Sequence, residues 1–151
     1  MSNKEKLQAG LQKLGLELST TQQLLLLEYV ALLQKWNSTY NLTAVRDADA
    51  MITHHIIDSL TLLPSIKDAK TLMDVGSGGG MPGIPTAIAR PDLQITLLDS
   101  NTKKTSFLQQ AVIERGLENV TVAAGRVESM HDKKVDVVTS RAFAELADFI
   151  S

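Results

Sequence analysis

Cysteine is absent from the 151-residue chain, which removes disulfides, thiolate metal sites and cysteine nucleophiles from the chemistry available to it. No run of residues approaches the roughly 20 apolar positions that a membrane-spanning helix needs. The N-terminal MSNKEKLQAG mixes charges and lacks the apolar stretch of a secretory signal, so a cytoplasmic protein without membrane contact is expected. Charge of one sign is not in excess: 15 Lys and Arg against 17 Asp and Glu leave a formal net charge of −2. Any nucleic-acid contact must therefore come from a local patch rather than from a basic domain. Proline is confined to Pro64, Pro82, Pro85 and Pro91, and neither internal repeats nor low-complexity segments occur. What remains is ordinary globular material, 44% hydrophobic and 21% charged, sufficient for one domain or one domain with an appendage.

The chain is organised around Thr71 to Pro85, TLMDVGSGGGMPGIP. Thr71 to Val75 reads as a buried strand, Gly76, Gly78, Gly79 and Gly80 as a turn, and Pro82 as the point where a helix begins. Such glycines let the backbone take positive φ and come close to a ligand, since no Cβ intervenes, and the N-terminus of the following helix favours a nucleotide-like ligand. A dinucleotide fingerprint would carry glycine or alanine where Met81 stands, which weighs against a nicotinamide oxidoreductase. The pattern D-x-G-x-G-x-G from Asp74 to Gly80 instead resembles the first motif of class I S-adenosylmethionine-dependent methyltransferases. An acidic residue beside the turn suits a cationic sulfonium and would repel a pyrophosphate. A glycine turn also joins strands to helices with no ligand at all, and this stretch alone leaves that alternative open.

In chain order, Lys4 to Leu14 predicts an amphipathic helix ended by Gly15, and Ser19 with Gln22 forms a capping box for a second helix. That helix carries Leu25, Tyr29, Leu32 and Trp36 at helical spacing; Trp36 fits a core position better than a base-stacking platform. Asn37 to Asn41 reads as a turn cluster, and a third helix runs from about Asp47 to Leu63, stopped by Pro64. After a linker, Ser65 to Lys70, the pattern becomes strand, helix, strand: Gly83 to Arg90, Leu93 to Leu98, Thr105 to Arg115, Val120 to Ala123, Val135 to Thr139, and a helix from about Phe143. The expectation is a doubly wound α/β sheet, with residues 1–68 as an N-terminal helical cap and 69–151 as the ligand-binding core.

Several residues stand where chemistry would occur. Asp99 ends the second strand about 20 residues beyond the glycines, the spacing of a ribose-binding acid; as part of Asp-Ser-Asn before Thr102 it also suits a helix cap. Arg126, Val127 and Glu128 follow the third strand, where an adenine edge would lie with Met81 over the ring face, although such residues taken alone are a solvated loop more often than a pocket. Ser140, Arg141 and Ala142 end the fourth strand on the same carboxyl edge. No proline-rich tetrad occurs there and no cysteine exists, which disfavours methylation of adenine amino groups and of pyrimidine C5. His55 and Asp58 lie at i and i+3 on one face of the third helix, as a local pair or as the border of a site, while His54 points into solvent. Too few ligands accompany them for a metal site. Lys103, Lys104, Arg126, Arg141 and Arg46 either gather into a basic patch by the cleft or are merely solvated.

KWNSTYNLTAVRD (Lys35 to Asp47), HIIDSL (His55 to Leu60), DVGSGGGMPGIP (Asp74 to Pro85), LLDS (Leu97 to Ser100), GRVE (Gly125 to Glu128) and SRAFA (Ser140 to Ala144), in that order, closely resemble the bacterial ribosomal RNA small-subunit methyltransferase G family, also called the glucose-inhibited division protein B family. The resemblance implies a Rossmann-like class I fold and methyl transfer from S-adenosylmethionine to N7 of a guanine in a decoding-region loop of 16S rRNA, with 16S rRNA or the 30S subunit as partner. It implies cofactor contacts at Gly76, Met81, Val127, Glu128 and Arg141, beside the ribose role argued for Asp99 and with Gly78 in the glycine loop. The pair His55 and Asp58 falls within a shared motif, and Arg141 is the candidate to orient cofactor and guanine. N7 carries a lone pair and no proton, so no general base is required. Class I enzymes have seven strands and family members continue past Ser151. The chain is therefore expected to be truncated, lacking C-terminal strands, keeping much of the cofactor pocket, and exposing a sheet edge that favours association or marginal stability.

Overall fold

Two serines open the first two helices. The Ser2 hydroxyl accepts the Glu5 N–H while the Glu5 side chain returns to the Ser2 backbone, starting α1 (Asn3–Leu14), and Ser19 and Gln22 repeat the arrangement at α2 (Thr20–Tyr40). The computed structural model describes residues 2–43, 45, 47–125 and 135–139. Gly15 ends α1 and Gly116 ends α6 (Thr102–Arg115), both in the left-handed conformation that glycine adopts without strain. Among the described residues no helix is long and apolar enough to cross a membrane.

α2 does not stop at Asn37. It continues through Asn-Ser-Thr-Tyr because Trp36 and Tyr40, one turn apart, stack with ring centroids 5.2 Å apart, and Trp36 packs edge-on against the buried Phe107 of α6. Tertiary contact outweighs the weak helix propensity of these residues. The turn comes at Asn41, which takes φ 52, a conformation that asparagine tolerates better than most side chains.

The third helix starts as its sequence predicts, with the Asp47 side chain accepting the Ala50 N–H. It then runs without a break from α3 (Ala48–Met51) through a π-helical stretch (Ile52–Ile57) into α4 (Asp58–Leu60). It ends three residues short of the expected boundary. Pro64 stands in the first turn of a separate 3₁₀ turn, Leu63–Ile66, where a missing N–H costs nothing. α1 lies against the π-helical stretch at Gly10, where a Cβ would come within 2.5 Å of Ile57 Cδ1.

The strands are β1 (Thr71–Val75), β2 (Gln94–Asp99), β3 (Val120–Ala124) and β4 (Val137–Thr139), all parallel and ordered β3-β2-β1-β4. The chain leaves β1 towards β2 and β3 and then returns to β1's other side. That reversal is the topological switch point at which open α/β sheets bind ligands beyond their carboxyl ends. α5 (Gly83–Ala89) and α6 pack on the sheet, and α2 packs against both. The core between them contains Tyr29, Leu33, Ile84, Leu97, Phe107 and Leu108, all completely buried.

α6 begins at Thr102, three residues before the sequence-based boundary, because the Asn101 side chain accepts the Lys103 and Lys104 N–H groups. The C-terminal carbonyls of α5 are held by side chains. Gln22 Nε2 donates to Ile88 and Ala89, at 3.0 and 3.3 Å, while Asn119 Nδ2 donates to Ala87, Arg90 and Leu93. β4 is fastened at its start: Asp136 Oδ2 accepts the N–H groups of Lys70 (2.8 Å) and Thr71 (3.2 Å), and Thr71 Oγ1 accepts the Asp136 N–H.

The Lys70 N–H, then the Thr71 N–H, hold the Asp136 carboxyl below the usual carboxylate range. A depressed folded value means that this fastening is complete above the ordinary pKa of about 3.9 and is lost as pH falls through the lower, folded value. The amide shifts of Lys70 and Thr71 in NMR should therefore titrate with a midpoint below about 3.9, and Asp136→Asn should abolish the titration. A midpoint at or above the ordinary value would mean that the carboxylate does not anchor the strand.

Candidate functional site

The loop after β1 is built from backbone hydrogen bonds that turn the chain sharply at the sheet's carboxyl edge. The Gly76 and Ser77 N–H groups both donate to the Leu98 carbonyl of β2, at 2.7 and 3.2 Å, and the Gly80 N–H donates to Ser77. Gly76 has φ 68 and Gly78 φ 56. A Cβ at Gly76 would meet nothing within 4 Å, and one at Gly78 would meet only the Gly76 carbonyl oxygen at 3.9 Å. The backbone is thus bare and approachable at these two positions, where a ligand could lie directly on it. Deeper in the loop there is no such room. Gly79 faces Met81 and Leu33, and a Cβ on Gly83 would come within 2.2 Å of Leu97 Cδ2 and 2.8 Å of Asp74 Oδ2.

The two acids near the loop have different surroundings. Asp74, 1% exposed, accepts the Gly83 N–H at 3.0 Å and so pins the start of α5. It does not line the cavity beside the loop, and neither does Asp99. Asp99, at the end of β2, is 7% exposed; its Oδ2 accepts the Gly78 N–H at 3.0 Å and its Oδ1 the Asn101 N–H at 2.8 Å. Asn101 is the cap of α6, so the capping alternative for Asp99 takes an indirect form: Asp99 positions the cap. Two carboxylate oxygens offer about four lone-pair sites, which leaves acceptor capacity for hydroxyl donors.

Beside the loop lies a cavity of about 400 Å³ lined by Gly76, Ser77, Gly78, Gly79 and Met81 on one side and by Leu42, Thr43, Val45 and His55 on the other. Met81 lines this cavity and is 5% exposed. His55 reaches the same cavity from the π-helical stretch, with Nε2 2.7 Å from Thr43 Oγ1. Asp58 does not accompany it: its residue is exposed and lies outside the cavity lining. The wider π turn changes the register on which the shared face of i and i+3 depended. His54 is exposed, as its position on the helix indicated. Val127, Glu128 and Arg141 lie outside the described residues, as do Arg46 and Arg126.

The opposite wall was not legible residue by residue. Asn37, 1% exposed, spans the α2 terminus and the following segment: its Oδ1 accepts the Thr43 N–H at 2.8 Å and its Nδ2 donates to the Val45 carbonyl at 3.3 Å. Thr43 Oγ1 accepts the Val45 N–H at 3.2 Å and meets His55. Tyr29 supports the loop from beneath, its hydroxyl donating to the Gly79 carbonyl. The available signal was Asn37 and Thr43, short polar residues able to bond backbone groups, set among Ser38, Thr39 and Asn41, which are exposed. Among the described residues no group of three or more His, Asp or Glu stands close enough to hold a metal ion.

Comparison with known proteins gives a consistent result. The family model described as rRNA small subunit methyltransferase G matches residues 22–151. The "Ribosomal RNA small subunit methyltransferase G" of Neisseria meningitidis serogroup C strain FAM18 is 66% identical over 151 residues, covering 100% of this chain and 73% of that protein. The protein of the same name from Neisseria gonorrhoeae strain NCCP11945 is 65% identical with the same coverage. That from Laribacter hongkongensis is 57% identical over 99% of this chain and 72% of its own length.

The two glycine environments predict opposite signatures. Gly83→Ala should lower the unfolding free energy by about 1–3 kcal/mol through overpacking against Leu97 and Asp74. Gly76→Ala should cost only the left-handed backbone strain, about 1–2 kcal/mol. Urea denaturation followed by circular dichroism measures both, and a Gly83→Ala protein as stable as the parent would contradict the packing described.

Proposed function

The chain belongs to the rRNA small subunit methyltransferase G family, a family of ribosomal RNA methyltransferases, and from that premise we propose that it transfers a methyl group from S-adenosylmethionine to N7 of a guanine in a decoding-region loop of 16S rRNA. The observation that carries the reading is the bare backbone at Gly76 and Gly78 beside the buried Asp99 carboxylate at the switch point of the sheet.

The residues present fit this cofactor. The open space over Gly76 admits a ligand onto the backbone, Asp99, bonded to the loop at Gly78, retains acceptor capacity for the two ribose hydroxyls, and Met81 offers an apolar surface in the cavity that Gly76 and Gly78 line. Bound S-adenosylmethionine supplies an electrophilic methyl group on a cationic sulfur. The chain's own task is to hold the acceptor. Guanine N7 has an exposed lone pair and no proton to lose, so the residues need not include a base. Alignment can contribute up to ~7–11 kcal/mol to such a reaction, with the electrostatics of a desolvated cleft adding to it. In this reading Val127 and Glu128 read the adenine edge, Arg141 orients cofactor and guanine, and His55, held by Thr43, borders the acceptor side of the cavity. Asp58, exposed and outside that cavity, acts through the helix if it acts at all.

Labelled methyl from S-adenosylmethionine should appear in 16S rRNA, offered both naked and as 30S subunits, and strand scission at N7-methylguanine should map it to a single position. Calorimetry should detect binding of S-adenosylmethionine and its demethylated product and none of NAD. Gly76→Ala, whose methyl projects into the open space over the loop, should weaken cofactor binding at least tenfold. Arg141→Ala should cut turnover strongly and weaken cofactor binding; near-normal rates would remove Arg141 from the site.

A further inference from the structure

We propose that the surface where the last turn of α2 meets the first turn of α6, formed by Tyr40, Trp36, Lys103 and Lys35, docks a single-stranded segment of the acceptor RNA, with a base stacked on Tyr40 and a phosphate against Lys103. The proposal rests on the reading of the acceptor as RNA and adds the surface that receives it. Tyr40 is 40% exposed, and its ring is held in place: it stacks on Trp36 at 5.2 Å, and Trp36 is braced edge-on against Phe107 at 5.6 Å. A ring fixed in this way loses little conformational freedom when a base settles on it. The Lys103 ammonium stands 6.0 Å from the Tyr40 ring centroid, so cation and stacking surface form one unit, the combination by which proteins hold single strands.

Charge and an aromatic ring together mark this part of the surface. With a net charge of −2, the chain has no overall attraction for a polyanion. The ion pairs among the described residues join Lys6 to Asp49, Arg90 to Asp92, and Arg115 to Glu28 and Glu114; Lys35, Lys103 and Lys104 take part in none of them, and neither do Lys4, Lys13, Lys67 and Lys70, but Lys103 stands against an exposed aromatic ring. A groove of about 460 Å³ runs from Lys35 and Tyr40 towards Gln110 and Glu114. Its far end is acidic, since Glu114 lies three turns along α6 from Lys103 and is engaged by Gln110 Nε2 at 2.6 Å. Phosphates are therefore accommodated at the Tyr40 end. Tyr40 leads directly into Asn41, Leu42 and Thr43, the last two of which line the cavity beside the glycine loop, so RNA held at Tyr40 lies one short segment of chain from the crevice.

The test measures RNA binding separately from turnover. Fluorescence anisotropy with 16S rRNA and with 30S subunits should show Tyr40→Ala weakening binding roughly tenfold, Tyr40→Phe restoring it, and Lys103→Ala reducing the slope of log affinity against log salt by about 0.7. Calorimetric affinity for S-adenosylmethionine should be unchanged in all three, which also certifies that they fold, and Lys13→Ala on the distant α1 should alter nothing. Tyr40→Ala and Lys103→Ala proteins that bind RNA with the parent's affinity and salt slope would overturn the proposal. If instead these variants lose RNA affinity while the parent chain transfers no methyl to RNA, the docking surface stands and the proposed reaction falls.

Discussion

The carboxylate of Asp99 connects the parts on which this structure depends. One oxygen holds the Gly78 N–H of the loop after β1 and the other the Asn101 N–H at the start of α6, so two loops from neighbouring strands are fixed by a single buried charged group. Backbone donors to a carboxylate are among the stronger hydrogen bonds available in a protein, and a buried carboxylate without them would be costly. The same Asp99 continues the link through its backbone, its carbonyl accepting the Gly125 N–H after β3. Three successive strand ends are thus tied at one residue, and the crevice owes its shape to that tie more than to any apolar contact.

The second wall is made differently. Asn37, Thr43 and His55 come from a helix end, an extended segment and a π-helical stretch, and side-chain hydrogen bonds join them across the cavity from the glycines. Beneath, Tyr29 couples this helical layer to the loop through the Gly79 carbonyl. A buried network of this kind specifies one arrangement, because each polar group displaced from it would be left without water or partner.

How much of this was legible follows from the range of the interactions. β1, the capping box at Ser19, the helix start near Asp47 and the glycine stops at Gly15 and Gly116 are written in residues a few positions apart, and the sequence reading located them closely, whereas the capping box at Ser2 went unread. The parallel sheet and its switch point followed from the alternation of strand and helix periods. The continuation of α2 through Asn37–Tyr40 did not, because it depends on Trp36 meeting Phe107, seventy residues away in the chain. The π-helical stretch likewise has no local sign, although it is what separates His55, in the cavity wall, from Asp58, outside it. Gly76, Gly78 and Asp99 drew attention through glycine spacing and an acid at a strand end, and Met81 through a motif shared with the family. Leu42, Thr43 and Val45 were missed individually because a cavity wall assembled across forty residues of sequence leaves no periodic trace.

Gln22 has a consequence for how the chain can be divided. Its amide oxygen closes the cap of α2 while its nitrogen covers the last carbonyls of α5, so one side chain begins one helix and finishes another. Cutting the polypeptide between the helices and the sheet would expose the Ile88 and Ala89 oxygens and remove the donor that Gly79 receives from Tyr29. Neither piece would inherit a complete set of partners for its main chain. The junction near residue 68 is therefore a seam in the sequence that the hydrogen bonding ignores, and shuffling these helices onto another sheet would require that sheet to supply a new donor at both places.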